Sequence, residues 1–553
     1  MAKVKFQRHK DIGAADARED LRFLEDCFVD TGAIDVLLNV RDPKCVVLGR
    51  TGSGKTALLE QLRMRSEKVI VIEPESLSLP YIENSTLIRF LVDLGVNMEP
   101  FYKLLWRHIF VVEIIRYRYG IVNDNINRTI IDRLLNRIGR NKTKQEALHY
   151  FFEYGRAFWK ETDTRVQGVV SKFEENLEKS LTYSINGKLV KRIVNGEISV
   201  RQGTANSLSE ELRIEVQQRA QKVVEHVQIQ KLTAMMDLLE EDILDDSQKQ
   251  YYITIDRLDE GWVNDLLRYR LIRSLLETAR EFNYKISNMK IIVAIREDLL
   301  NRVFRHTRSP GYQEEKYRSM YLSLNWNQEQ LEELILKRVQ KLIDGNDIDQ
   351  ISLRIEDVVP EYLKVKGSRI KTLQYVFERT LLRPRDVIVF FNECIKKVRL
   401  DGKITSNIIF SAEESYSNLR LRALSDEWSA DYRTLYQATL LLKGFPADFN
   451  VDFLCKQLQE QDALISYWVD NDKIDCRLYE AIDKLMELEP PNFNSIAFEL
   501  LKVLFEVGVI GIHLPTKRVG WCYLGENFPS KEKFPFASFR IHSAFWKVLE
   551  IIT

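Results

Sequence analysis

Short apolar runs alternate with amphipathic segments along much of the chain, and this alternation predicts a sheet covered by helices. Five runs are apolar enough to form buried strands: residues 45–48, 69–72, 251–255, 290–295 and 320–324. Apolar positions recur with the spacing of one helix face at 57–62, 263–283 and 297–306. This order of strands and helices is typical of an α/β core.

The stretch between the second and third predicted strands is too long for an ordinary connection, and we interpret residues 80–248 as a mainly helical insertion. Residues 85–122 are helical in pattern and rich in aromatic side chains. Two Asn-Gly pairs, at 186–187 and 195–196, flank a strand-like run and predict a small β-meander over 181–202. Over 208–244 the apolar period is helical for about ten turns, which predicts a projecting arm or a helical hairpin.

The regions on either side of this core are also predicted to be mainly helical. Residues 1–43 mix acidic and apolar positions ahead of the first strand, and residues 327–405 have the pattern of a helical lid. Near the C-terminus a helix over 498–507 precedes two strand-like runs, at 510–514 and 519–523. A helix followed by a two-stranded hairpin is the pattern of a winged helix.

Composition narrows the class of protein. Lys+Arg and Asp+Glu each count 81, so the net charge is zero, which disfavours a globally basic nucleic-acid binder. The six cysteines form no C-x-x-C pair, so a zinc or disulfide framework is not expected. The sequence has neither an apolar run of about 18 residues nor a signal-peptide pattern, so we expect a cytoplasmic protein with no membrane partner.

The first predicted strand runs into a complete Walker A loop. The loop and the residue after it are Gly49, Arg50, Thr51, Gly52, Ser53, Gly54, Lys55, Thr56 and Ala57. In such a loop the glycines let successive backbone N–H groups and the helix N-terminus face a phosphate chain. Lys55 is expected to reach the β- and γ-phosphates, and the Thr56 hydroxyl to ligate Mg²⁺. The strand–loop–helix context therefore predicts a nucleotide site. ATP is favoured as the nucleotide because no Asn-Lys-x-Asp string for guanine occurs.

The third predicted strand ends in an acidic cluster that has the form of a Walker B motif. Asp256 is expected opposite Thr56, because Mg²⁺ takes one or two carboxylates beside phosphate oxygens. Hydrolysis also needs a carboxylate that orients the attacking water. Arg257 occupies the next position and cannot act as a base, so this role falls to Asp259 or Glu260.

Several arginines extend the candidate site. Arg296, at the tip of the fourth strand, is a candidate γ-phosphate sensor, and a solvated helix start is the alternative interpretation. Arg385, in the predicted lid, is a candidate for folding onto the γ-phosphate, with a surface Arg–Asp pair as the alternative. Oligomeric ATPases present an arginine to the neighbouring subunit from the segment that here contains Arg302, Arg305 and Arg308. With the long apolar stripe of 208–244, these arginines predict a homo-oligomer.

Together these motifs resemble the bacterial STAND/AAA-like ATPases, additional-strand P-loop proteins that include KAP-like signalling and defence ATPases. The resemblance rests on the loop at 49–56, I-D-R-L-D-E-G-W at 255–262, A-I-R-E-D-L at 294–299, Leu324-Asn325-Trp326 and R-P-R-D-V at 383–387. It implies a P-loop NTPase core with a parallel sheet in the order 5-1-4-3-2, a helical lid and a C-terminal winged-helix-like domain. It covers 30–75 and 250–400 well, and 125–245 hardly at all.

The resemblance and the patterns divide the chain into four parts. These are an N-terminal helical segment at 1–43, an ATPase core at 44–326 interrupted by 80–248, a helical lid at 327–405 and a helical/winged-helix region at 406–553. The resemblance implies a Mg²⁺-dependent, ATP-hydrolysing switch that oligomerises, with bacterial antiphage defence as its setting. Since the sequence shows neither a recognisable effector nor sensor repeats, a separate effector protein is expected. The alternative is a DNA-engaging ATPase that uses the winged helix and the basic stretches at 133–144 and 188–192.

Overall fold

The computed structural model describes most of the chain outside the predicted insertion. The described ranges are 4–77, 84–119, 249–308, 315–343, 353–399, 402–429, 431–460, 492–516 and 518–552, with isolated positions between them. By their contacts the residues divide into two units: 1–29, 51–53 and 326–553 form the first, and 30–50 and 54–325 form the second. The meander predicted at 181–202 lies outside the described residues, as does the helix predicted at 208–244 apart from isolated positions.

Five parallel strands form the centre of the second unit. They are β1 (Val46–Gly49), β2 (Val69–Ile72), β3 (Tyr251–Ile255), β4 (Met289–Arg296) and β5 (Tyr321–Ser323). Their order is β2-β3-β4-β1-β5, which is 5-1-4-3-2 when it is read from the β5 edge, and every pair is parallel. The predicted α/β core with a parallel sheet is therefore confirmed, and the carboxyl ends of all five strands lie at one edge.

The central strands β1, β3 and β4 consist entirely of buried residues, as their apolar sequences predict for strands with both faces covered. The charged exceptions are Lys290 and Arg296 in β4, and Lys290 lies near its start. Its Nζ donates to the carbonyl oxygens of Val36 at 2.7 Å and Asn39 at 2.8 Å. These carbonyls belong to the end of the helix Ala33–Leu38, where a cation is favourable, so Lys290 ties that helix to the sheet.

Helices of the second unit pack on the sheet and on each other. Their bounds are Ala33–Leu38, Lys55–Arg65, Thr86–Asp93, Glu99–Tyr119, Asp265–Lys285, Glu297–His306 and Glu315–Arg318. In the contact between the two longest, Trp106 Nε1 donates to the Leu271 carbonyl at 2.8 Å, and Arg107 pairs with Glu281 at 2.6 Å. These bonds fix the described first part of the predicted insertion, residues 84–119, on the α/β core.

The first unit contains helices and two small antiparallel sheets. Its helices are Leu21–Cys27, Gln328–Ile343, Ile355–Val358, Thr372–Phe377, Pro384–Lys396, Ser406–Glu427, Leu435–Leu440, Val451–Glu460 and Phe493–Glu506. A hairpin of β6 (Tyr362–Val365) and β7 (Ser368–Lys371) interrupts the region 327–405, so the prediction of an all-helical lid is wrong there. Lys366 and Gly367 have φ values of 50° and 84°, which is the geometry of a tight two-residue hairpin turn.

The C-terminal part of this unit contains a four-stranded sheet. Its strands are β8 (Asp448–Asn450), β9 (Ile510–His513), β10 (Val519–Gly520) and β11 (Ser538–Ile541), in the order β10-β9-β11-β8. The predicted helix and hairpin are present, because the helix Phe493–Glu506 leads into the antiparallel pair β9 and β10. The sequence analysis missed β8 and β11, since strands of three or four residues are too short for a clear alternation of apolar and polar positions.

The N-terminal segment contains less helix than the prediction for 1–43. Among its described residues the helices are limited to Leu21–Cys27 and Ala33–Leu38. The backbone N–H of Phe6 donates to the Gly402 carbonyl at 2.8 Å, and that of Ile12 donates to Asn392 Oδ1 at 2.9 Å. Val4, Phe6 and Ile12 are therefore buried in a non-helical segment of the first unit, so their burial does not require a helix.

No helix in the described part of the chain has both the length and the apolar character needed to cross a bilayer.

Candidate functional site

The Walker A and Walker B motifs lie at the carboxyl edge of the sheet. β1 ends at Gly49, which is paired in register with Arg296 at the end of β4. β3 lies on the other side of β4, with Ile255 paired to Val293, and Asp256 follows directly. In open α/β sheets this edge is where ligands bind.

The predicted metal ligands Thr56 and Asp256 are in direct contact. Thr56 Oγ1 donates to Asp256 Oδ2 at 2.7 Å, and Asp256 Oδ1 accepts from the backbone N–H of Arg257 at 2.8 Å. A hydroxyl and a carboxylate oxygen are the hard ligands that Mg²⁺ takes, with phosphate oxygens and water completing its shell. Within the described residues, no group of three or more His, Cys, Asp or Glu side chains could hold a metal by itself. The donor set of Thr56 and Asp256 thus fits a Mg²⁺ ion shared with a phosphate ligand.

Lys55 lies over the loop that carries it. Its Nζ donates to the carbonyl oxygens of Gly49 at 2.9 Å and Arg50 at 3.0 Å. Burial lowers the pKa of Lys55 to about 8, and the nearby carboxylates of Asp256 and Asp259 oppose this shift. An anion bound beside the ammonium would raise the pKa again and favour the charged form.

The backbone of the loop has the features of an anion site. Gly52 and Gly54 have φ values of 75° and 94°, a region that residues with a side chain seldom adopt. The helix Lys55–Arg65 begins immediately after Gly54, so its positive N-terminus meets the loop. The buried hydroxyl oxygens of Thr51 and Ser53 have no hydrogen-bond partner among the described residues, and a polar ligand would satisfy them.

The turn after β3 is strained at Arg257, which has a φ of 59°. Positive φ is uncommon outside glycine, and such strain concentrates at functional sites. The Arg257 Nε lies 3.4 Å from Glu260 Oε1, so this arginine is an ion-pair partner of a candidate base.

The sequence analysis missed one acidic residue of the site, Glu75. It lies in the short 3₁₀ helix Pro74–Leu77 that follows β2, and its carboxyl group is hydrogen-bonded to that of Glu260. Burial and this bond raise the pKa of Glu260 to about 7, against the opposing charge of Arg257. Its position in the sequence could have indicated Glu75, because a residue shortly after the parallel strand β2 lies at the same sheet edge as Asp256.

Arg296 pairs with two acidic residues of the site, and it is 7% exposed. Its Nε and Nη2 donate to the two carboxylate oxygens of Asp298 at 3.0 and 2.9 Å, and its Nη1 lies 3.4 Å from Asp259 Oδ2. Arg296 does lie at the start of a helix, because it is the N-cap residue of Glu297–His306, but its side chain is buried and ion-paired and not solvated. Each candidate base therefore has an arginine 3.4 Å away, Arg296 for Asp259 and Arg257 for Glu260. Asp259 is exposed, and the pKa of Glu260 is raised to about 7.

The three arginines after this strand differ in exposure. Arg302 is 9% exposed and its Nη2 lies 2.6 Å from Asp298 Oδ2, so it is paired within its own chain. Arg305 and Arg308 are exposed.

In the first unit, the predicted lid arginine Arg385 donates from Nε to the Ala15 carbonyl at 3.1 Å. The buried Arg–Asp pair of this motif involves its neighbour, because Arg383 Nε donates to Asp386 Oδ2 at 2.8 Å. Arg383 also donates from Nη1 to the Thr51 carbonyl at 2.9 Å. The alternative of a surface Arg–Asp pair is therefore wrong, since this pair is buried and formed by Arg383.

Two comparisons with known proteins bear on this chain. The profile of a FunZ-associated C-terminal helical domain matches residues 329–425, which lie in the first unit. Over 563 aligned residues the chain is 21% identical to the "Putative transposon gamma-delta 80.3 kDa protein" of Escherichia coli (strain K12). That alignment covers 98% of this chain and 67% of the E. coli protein, so the similarity is distant and extends along nearly the whole sequence.

Proposed function

We propose that this protein binds ATP with Mg²⁺ at the carboxyl edge of its parallel sheet and hydrolyses it. The observation that carries the proposal is the 2.7 Å bond between the hydroxyl of Thr56 and the carboxylate of Asp256. It supports a metal ion held jointly by the two motifs, because Thr56 of Walker A and Asp256 of Walker B meet where phosphates would bind.

In this proposal the loop binds the phosphates of ATP, and one residue from each motif holds the metal. Backbone amides of residues 49–56 cradle the phosphates, and Lys55 places its positive charge beside them. Thr56 and Asp256 hold Mg²⁺, which when bound neutralises the charge that phosphate oxygens develop during transfer. Arg296, fixed by Asp298 and Asp259, acts as the sensor at the tip of β4.

Glu260 is our first candidate for the base that orients the attacking water. Its pKa of about 7 suits proton transfer at neutral pH, because an efficient base titrates near the working pH. Asp259 remains the alternative base, although its pairing with Arg296 supports a positioning role. The ion pair of Glu260 with Arg257 and its bond to Glu75 are consistent with slow turnover, since both must adjust when water enters.

The cellular role we propose follows from the resemblance to STAND/AAA-like ATPases. In that role nucleotide binding and hydrolysis drive a conformational switch in a homo-oligomer, which acts on a separate effector protein in bacterial antiphage defence. The match of residues 329–425 to the profile of a FunZ-associated C-terminal helical domain supports a helical module in the first unit.

Phosphate release from ATP tests the proposed activity. Lys55→Ala should abolish release, whereas Lys44→Ala, which removes an exposed lysine just before β1, should leave it unchanged. Glu260→Gln should retain ATP binding and trap the unhydrolysed nucleotide. Equal rates for the Lys55→Ala and Lys44→Ala proteins would refute hydrolysis at this site.

A DNA-engaging ATPase is the second candidate. It is supported by the helix and hairpin at 493–520 and by the similarity to a transposon gamma-delta protein. The basic stretches at 133–144 and 188–192 lie outside the described residues. Fluorescence anisotropy with a labelled DNA duplex tests it: binding that weakens steeply with added salt would support contacts to phosphates. No binding at low salt, with and without ATP, would eliminate this candidate.

A further inference from the structure

Three consecutive carbonyl groups of the Walker A loop accept hydrogen bonds within the first unit, to which residues 51–53 belong. We call these three bonds the carbonyl clamp: Arg383 Nη1 to Thr51 O at 2.9 Å, the Arg385 backbone N–H to Gly52 O at 3.4 Å, and Trp326 Nε1 to Ser53 O at 2.8 Å. Two side chains far along the sequence thus hold the backbone of a phosphate-binding motif.

The charged member of the clamp is fixed by a buried ion network. Arg383 pairs with Asp386 at 2.8 Å and with Glu427 at 3.6 Å, and Arg420 pairs with the same two acids at 3.5 and 2.9 Å. All four side chains are at most 9% exposed. A buried guanidinium is tolerated where it is paired, so the network holds Arg383 in the orientation that reaches Thr51.

Gly52 packs closely against Arg385 at the start of the helix Pro384–Lys396, within the first unit. A Cβ added to Gly52 would lie 2.8 Å from the Cβ of Arg385, and the φ of 75° disfavours a side chain as well. The clamp therefore depends on the second glycine of the motif for a reason besides phosphate access.

Peptide geometry turns the clamp into a constraint on the amides of the loop. In a planar trans peptide the carbonyl of one residue and the N–H of the next point in opposite directions. Fixing the carbonyls of residues 51–53 therefore fixes the N–H groups of Gly52, Ser53 and Gly54. These are amides that a bound phosphate chain would contact.

We propose that Trp326 and Arg383 are positioning residues that preorganise these three amides for the phosphates of a nucleotide. The proposal rests on the nucleotide binding proposed above and adds to it the residues that set its affinity. Preorganised donors bind an anion more tightly because less backbone ordering is required when it arrives.

Trp326→Phe is the sharpest test, because it removes one N–H donor and keeps an aromatic ring. Trp546→Phe is the matched control, since Trp546 Nε1 donates to the Ile541 carbonyl at 2.8 Å in the same unit. Arg383 is a poorer target because its loss would leave the buried Asp386 and Glu427 unbalanced. By calorimetry we expect the Kd for ADP and ATP to rise about 2- to 10-fold in Trp326→Phe. We expect no change in Trp546→Phe.

The two nucleotides should be weakened alike, because such amides cradle the α- and β-phosphates that ADP and ATP share. Equal Kd values in the two tryptophan variants would overturn the clamp while leaving nucleotide binding intact. A loss confined to ATP would also overturn it, since that pattern belongs to a γ-phosphate contact. If the unaltered protein binds neither nucleotide, the proposed function itself fails, and the clamp fails with it.

Discussion

The side chains of Thr56 and Asp256 are joined by a hydrogen bond of 2.7 Å across a separation of 200 residues. The contact forms because β1 and β3 lie on either side of β4 and all three run in the same direction. The helix after β1 and the turn after β3 therefore begin at one edge of the sheet. This edge is where we propose that Mg²⁺–ATP binds.

The first prediction concerns the metal dependence of nucleotide affinity. Mg²⁺ should increase the affinity for ATP much less in Thr56→Ala than in the unaltered protein, because one ligand of the metal is lost. We expect the Kd for Mg²⁺–ATP to rise by about 10-fold or more. Thr56→Ser keeps the hydroxyl and is the matched control. The Kd for ATP is measured with Mg²⁺ and with excess chelator. Full Mg²⁺ dependence in the alanine variant would show that Thr56 is not a ligand.

The second prediction concerns the pH dependence of turnover. A base must be deprotonated to act, and the pKa of Glu260 is raised to about 7, so kcat should rise as pH increases through about 7. Glu75→Gln removes a neighbouring acid whose hydrogen bond and charge raise this pKa. The rise in kcat should therefore move to lower pH in that variant. A rise that stays in place in Glu75→Gln would assign the pH dependence to another group.

The parts of the fold and site that the sequence predicts are those encoded in contiguous residues. Each apolar run of the sheet forms a strand within one or two residues of its predicted position. For the central strands β1, β3 and β4 the reason is burial on both faces, which demands an unbroken apolar segment. Thr56 and Asp256 could be predicted as neighbours because each follows such a strand closely.

The remaining parts depend on single contacts between distant residues. Trp326 and Arg383 act on carbonyls more than 270 positions earlier, and no local pattern encodes such a bond. The segment before Leu21 has apolar residues that suit a helix, but it forms turns and a single β-bridge between Phe6 and Gly402 instead. Tertiary contacts thus override local propensity in these places.

The third prediction concerns proton uptake by Lys55. The pKa of Lys55 is about 8, and bound phosphates should raise it. At about pH 8.5 the free lysine is mostly neutral, so nucleotide binding should be accompanied by proton uptake. At about pH 6.5 the lysine is already protonated, and no uptake is expected. Calorimetry in buffers of different ionisation enthalpy measures this uptake. Lys55→Arg, which carries a guanidinium that stays protonated, should bind without uptake. Equal uptake in the two proteins would place the titrating group elsewhere.

The fourth prediction concerns self-association. If an arginine is supplied to a neighbouring subunit, turnover per chain should rise with protein concentration, because such a residue is worth about 10³–10⁵ in rate. Arg305→Ala or Arg308→Ala should remove that rise and leave the Kd for ATP unchanged. Arg302 is unsuitable, since its loss would disturb Asp298 and through it Arg296.

Light scattering and a dilution series of the hydrolysis rate measure this association. A monomer at every concentration at which the protein hydrolyses ATP would contradict a subunit-supplied arginine.

The most direct test of the central claim is a calorimetric titration of Mg²⁺–ATP into the unaltered protein, Lys55→Ala and Lys44→Ala, with melting temperatures recorded for all three. We expect one site per chain in the unaltered and Lys44→Ala proteins. In Lys55→Ala we expect affinity to fall by about 10-fold or more at an unchanged melting temperature, because the partly buried ammonium group proposed to contact the phosphates is lost. The same affinity in Lys55→Ala as in the unaltered protein would contradict nucleotide binding at this loop.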